Sequence, residues 1–140
     1  MLIPARVKYR KMQKGWLKGI AVSGSCVSFG EYGIKALESA WLHNTQIEAA
    51  RIILTRRLRR GGKLWVRIFP DKPITKKPAE SRQGRGKGEV SGWVAVVKRG
   101  MVIFELGGIP EDYARASFRL IAYKLPFKTM FVTRARGQVT

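Results

Sequence analysis

A chain of 140 residues with 45% hydrophobic content is long enough for one domain with one modest core, since domains usually run about 100–200 residues. Its 28 Lys and Arg stand against 9 Asp and Glu, a formal charge of +19 with a pI near 11.0, so the isolated fold repels itself and needs an anionic partner. No apolar run approaches the ~18 residues of a membrane span, Cys26 has no second cysteine to pair with, and Cys26 with the single His43 cannot complete a zinc site. Nucleic acid is the expected partner, with no membrane, small-molecule substrate, metal or cofactor.

Residues 1–20 carry six cations (Arg6, Lys8, Arg10, Lys11, Lys14 and Lys18) and no acid, and their apolar residues hold no regular period. They predict an extended basic arm on a single domain spanning 1–140. Tyr9 and Trp16, set among cations, can stack on bases or cap the core. The acid-free first thirty residues superficially match a transit peptide. They lack its amphipathic Ser/Arg-rich helix, and are expected to be mature protein.

Val27 to Gly30 and Tyr32 to Ile34 read as a strand region broken by glycines. Thr45 with Glu48 reads as a capping box, and Ile47, Ala50, Leu54 and Leu58 follow at helical spacing, predicting a helix over 46–60 that Gly61 and Gly62 stop. Arg51, Arg56, Arg57, Arg59 and Arg60 crowd the rest of that helix with only Glu48 nearby. Such a density exceeds what a solvated face needs, and it marks these arginines, with Lys63 after them, as phosphate ligands.

Lys63 to Phe69 predicts a strand closed by a turn at Pro70-Asp71-Lys72-Pro73, and residues 74–78 a short proline-limited edge segment. Trp93 to Val97, a turn at Lys98-Arg99-Gly100, and Met101 to Leu106 predict a hairpin. Pro110, Glu111 and Asp112 open a second amphipathic helix through Ala114, Phe118, Ile121 and Leu125, which Lys124 and Pro126 close. Residues 127–134 predict a last strand and 135–140 a flexible polar tail. The fold class is α+β, two helices packed on one face of a mainly antiparallel sheet.

The densest chemical signal lies in the basic glycine-rich loop predicted over 79–91, where Ser81-Arg82-Gln83-Gly84-Arg85-Gly86-Lys87-Gly88 alternates glycines with cations. Glycines let backbone N–H groups approach phosphates, and Arg82, Arg85 and Lys87 supply charge. The segment is no nucleotide fingerprint: a P-loop would need Gly at Ser81 and Ser or Thr at Gly88. Cys26 and His43 carry no catalytic signature, and Glu111 with Asp112 is explained by the helix dipole. No catalytic constellation emerges, and an enzyme is not expected.

Several blocks occur in order along nearly the whole chain: Met1-Leu2-Ile3-Pro4, Lys8-Tyr9-Arg10-Lys11, Gln46 to Arg51, Gly62 to Pro73, Gly84 to Gly88 and Lys124-Leu125-Pro126. Together they resemble the bacterial-type family of large-subunit ribosomal protein L-sixteen. The resemblance implies a hammerhead-type α+β fold, with large-subunit rRNA, A-site tRNA and neighbouring ribosomal proteins as partners. It implies a place near the peptidyl transferase centre, an arm that threads rRNA, and a loop (Arg82, Gly84, Arg85, Gly86, Lys87 and Gly88) that points to the functional centre. It also implies localisation to ribosomes of the bacterial cytoplasm or of an organelle, plastid ahead of mitochondrion. Ala5, Trp16 and Gln83 depart from the family's usual basic residue, arginine and methionine. Composition alone fits a free RNA-binding module or assembly factor equally well.

Overall fold

The computed structural model describes residues 2–59, 61–84 and 86–134; Arg60, Arg85 and the 135–140 tail lie outside the described residues. In chain order the elements are β1 (Tyr32–Ala36), β2 (Ala40–His43), α1 (Asn44–Leu58), β3 (Lys63–Val66), β4 (Lys72–Lys76), β5 (Glu89–Val97), β6 (Val102–Gly107), α2 (Glu111–Ala122) and β7 (Thr129–Thr133). All strand pairs are antiparallel, so the α+β class is as expected.

One expected sheet is in fact two. β3-β6-β1-β7 form a four-stranded sheet and β2-β5-β4 a three-stranded one. The hairpin predicted from 93–97 and 101–106 does not form, because β5 and β6 are interior strands of different sheets and both edges of each are occupied. At the turn, Gly100 N donates to Ala36 O (2.7 Å) and Ala36 N to Met101 O (2.9 Å). The end of β1 therefore takes the ladder positions that β5 would have filled.

The apolar stripes of both helices are buried as spaced: Ile47, Ala50, Leu54 and Leu58 on α1, and Ala114, Phe118 and Ile121 on α2, with Leu125 just beyond it. They join Ile34, Leu42, Ala95, Val97, Phe104 and Leu106 in one core. The helices pack on each other; α1 also covers β2, β3 and β5, while α2 covers β1 and β7. The expected Thr45–Glu48 capping box is replaced by one two residues earlier, His43 with Gln46. His43 is the N-cap, its backbone N–H donating to Gln46 Oε1 (3.0 Å), and Glu48 turns instead to Arg51. Residues 27–30 form no strand, and Lys72 and Pro73, expected in a turn, open edge strand β4.

A buried ion pair holds residues 26–30 in place of strand pairing. Glu105, in the middle of fully buried β6, is wholly inaccessible. Its carboxylate accepts from the backbone N–H groups of Ser28 (3.1 Å), Phe29 (2.7 Å) and Gly30 (2.7 Å) and from Arg67 Nη1 (2.6 Å), which also donates to Cys26 O (2.7 Å). Burial alone would raise its pKa, but the Gly30 N–H, Arg67, and the Ser28 and Phe29 N–H groups outweigh that and hold it below the ordinary carboxylate value.

Candidate nucleic-acid interface

Residues 2–31 have no helix or strand beyond one isolated bridge, Ile20 with Arg99, as an arm of high charge and no period requires. The arm is nonetheless laid on the body. Asn44 Nδ2 donates to Leu2 O (3.3 Å), Ala21 N to Arg99 O (2.9 Å) and Val102 N to Gly24 O (2.8 Å). In its middle, Arg10 and Lys11 lie 3.6 and 4.0 Å from the Glu89 carboxylate and Lys11 Nζ donates to Lys87 O (3.1 Å). Lys87 Nζ returns a bond to Met12 O, and Lys72 Nζ donates to Lys14 O. The arm's exposed aromatics each sit under a cation: Lys8 Nζ is 5.5 Å from the Tyr9 ring centre, and Lys18 Nζ is 5.4 Å from that of Trp16, which is 85% exposed. Side chains so placed can stack on bases without losing core packing.

The glycine-rich loop leaves β4 and returns into β5, whose start at Glu89 absorbs the last three positions of the expected 79–91 span. Lys77 Nζ closes its base on Gly84 O (2.9 Å), and Gly84 and Gly86 take φ of 97° and 80°, conformations that a side chain disfavours. Arg82 is exposed; Lys87 is exposed too but tied to the arm. Gly88 is needed for a different reason: a Cβ there would lie 2.7 Å from Lys76 O, main chain that cannot swing aside. Gly88→Ala is expected to destabilise the free protein by about 1–3 kcal/mol through overpacking at the loop's root, measured by denaturant unfolding; an unchanged midpoint would contradict the close approach.

The α1 arginines separate into two kinds. Arg51 is paired with Glu48 (Nε to Oε2, 3.1 Å), which lowers the Glu48 pKa chiefly through that hydrogen bond. Arg57 Nε donates to Ser117 Oγ (3.0 Å), its guanidinium lies 4.8 Å from the Tyr113 ring centre, and the Tyr113 hydroxyl donates to Arg57 O, so Arg57 ties α1 to α2. Arg56 and Arg59, like Lys63 on β3, are exposed.

Among the described residues the ion pairs are Arg10 and Lys11 with Glu89, Arg51 with Glu48, Arg67 with Glu105 and Arg115 with Glu111. Arg6, Lys8, Lys14, Lys18, Arg56, Arg59, Lys63, Arg82 and Lys87 therefore have no acid in reach among them. The structure brings the arm and the loop root together at residues 10–12 and 87–89. No hydrogen bond or ion pair among the described residues joins the α1 arginines to either. The sequence reading missed Lys72 and Trp41, whose side chains meet the arm; a lysine two residues before Ile74 in a strand was the available signal. Among the described residues no three His, Cys, Asp or Glu gather as a metal site would require.

Residues 4–132 match the family described as Ribosomal protein L16p/L10e. The chain is 59% identical over 134 residues to Large ribosomal subunit protein uL16 of Heliobacterium modesticaldum, covering 96% of this chain and 93% of that protein.

Proposed function

The chain belongs to the L16p/L10e family of ribosomal proteins and is a structural constituent of the large subunit, and from that footing we propose that it binds large-subunit rRNA close to the peptidyl transferase centre and helps to position A-site tRNA. The arm and the exposed α1 arginines serve as the rRNA anchor. The loop carrying Arg82, Gly84, Arg85, Gly86, Lys87 and Gly88 is the part that reaches toward tRNA and the centre.

The observation that carries this reading is the set of exposed cations on arm, helix and loop that find no carboxylate within the described fold. Charge left so uncompensated in one domain matches a polyanion, and phosphate contacts on a rigid framework fix register on folded RNA. Binding of the purified protein to large-subunit rRNA is expected to be steeply salt-dependent, with about 6–10 phosphates neutralised and affinity falling by orders of magnitude between low and moderate salt. A nearly flat log–log slope would overturn the electrostatic basis. Retention on large subunits through a high-salt wash separates a subunit constituent from a loosely bound assembly factor, which would wash off.

A further inference from the structure

We propose that the seam between the arm and the outer face of the three-stranded sheet is a subsite for one phosphate-bearing nucleotide unit of RNA, held by Lys14, Lys72 and Lys87 beside the indole of Trp41. The subsite deepens the RNA-binding reading and rests on it.

Alternation along β2 divides its side chains between two environments. Leu42 is fully buried in the core beneath α1, whereas Trp41 and His43 line an open cavity of about 400 Å³ with Lys72 and Ile74 of β4. Met12 and Lys14 of the arm and Lys87 of the loop root complete the wall. Such a volume falls in the range of small-ligand sites, about 300–1,000 Å³.

Three ammonium groups therefore converge on one cavity. Lys72 Nζ stands 4.9 Å and Lys14 Nζ 6.0 Å from the Trp41 ring centre, and the hydrogen-bond acceptors of Lys72 and Lys87 are neutral main-chain carbonyls, Lys14 O and Met12 O. Among the described residues none of the three lysines has a carboxylate partner. Like charges lining one cavity repel, and an anion placed among them offsets that repulsion.

A second observation is independent of charge. Trp41 Nε1 is the one buried side-chain nitrogen or oxygen among the described residues without a hydrogen-bond partner. Unpaired buried donors are rare in native structures, and this one belongs to a side chain that lines the cavity. Lysine ammoniums act as point charges suited to phosphate, and an indole beside them gives a base an apolar wall. That combination favours RNA over an acidic peptide, which would leave the indole unused.

Heteronuclear NMR of the full chain tests the site, because the Trp41 indole N–H signal can be identified by its loss in Trp41→Phe. A short single-stranded oligoribonucleotide is expected to shift that signal saturably, and oligoglutamate of equal charge to shift it less. Lys72→Met, which keeps the aliphatic length, is expected to weaken the shift and to lower the salt slope of rRNA binding by roughly 0.7–0.9, while the exposed control Lys128→Met changes neither. A Trp41 signal that stays fixed while that of exposed Trp16 moves would overturn the site, as would oligoglutamate acting as strongly as RNA. A flat wild-type slope would strike the RNA reading itself. A steep wild-type slope that Lys72→Met leaves unchanged would strike only this site.

Discussion

Replacing Glu105 by glutamine is expected to destabilise the free protein by about 3–5 kcal/mol, the usual consequence of breaking a buried ion pair by removing one partner. The carboxylate is fully buried and accepts four hydrogen bonds, three of them from successive backbone N–H groups at 28–30. Glutamine keeps the shape but turns an NH₂ toward donors and leaves Arg67 without its counter-charge. A domain of this size has a total stability of roughly 5–15 kcal/mol, so the variant should lose much of it. Urea unfolding of wild type and variant measures the difference, and a change under about 1 kcal/mol would show that the buried ion pair contributes no more than an exposed one.

The same group sets a pH dependence with a definite sign. Glu105 has a lowered folded-state pKa, so in the acid range the unfolded chain binds more protons than the folded one and stability rises with pH. Its contribution is fully present above the ordinary carboxylate value, about 4.3, and is lost as pH falls through the lowered folded value. Glu105→Gln should flatten that part of the stability profile. Glu48 is lowered too, by Arg51, but this partly exposed pair within one helix has little effect on stability. Loss of this ion pair should also loosen residues 26–30, which Arg67 and Glu105 together hold against the sheet.

Both helices were legible in the sequence because a helical stripe is a local signal: the apolar positions read on α1 are the ones buried, and those read on α2 are buried with it. β2 was not legible. Ala40 to His43 is only four residues and runs directly into α1, and its strand character comes from pairing with Val94 to Val97 far along the chain. The hairpin misreading has the same origin, since neighbours in sequence are the default partners until β1 competes for the edge. A lone glutamate inside the apolar run 101–106 was a readable sign of a buried partner, and Arg67 in the preceding strand segment was the candidate. The charge of the interface was visible in composition, but which cations are already committed was not. Arg57 reads as a phosphate ligand until Ser117 and Tyr113, some sixty residues on, are seen to hold it.

Neutralising Arg82 and Arg85 is expected to leave the protein folded and incorporated into large subunits, yet to reduce A-site tRNA accommodation and single-turnover peptide formation about tenfold or more. A hydrogen bond to a charged group contributes roughly 1.5–3 kcal/mol, and about 1.4 kcal/mol is a factor of ten. Arg82 is exposed on a loop closed at its base by Lys77 and Gly84, and the described part of the loop adds nothing to the core. Lys87 belongs to a separate test, because its bonds with Lys11 and Met12 couple the loop root to the arm and its loss would disturb both. The contrasting set is Arg56, in the last turn of α1, and Arg59, the C-cap that follows it, both exposed. Replacing them should lower occupancy on the subunit while the domain stays folded, whereas Arg57→Ala would also loosen α1 from α2 and confuse the comparison. Purified subunits carrying each set give occupancy, tRNA binding and peptide formation side by side. Loop variants that are fully active at normal occupancy would reduce the segment to a solvated connection and remove the proposed role at the tRNA.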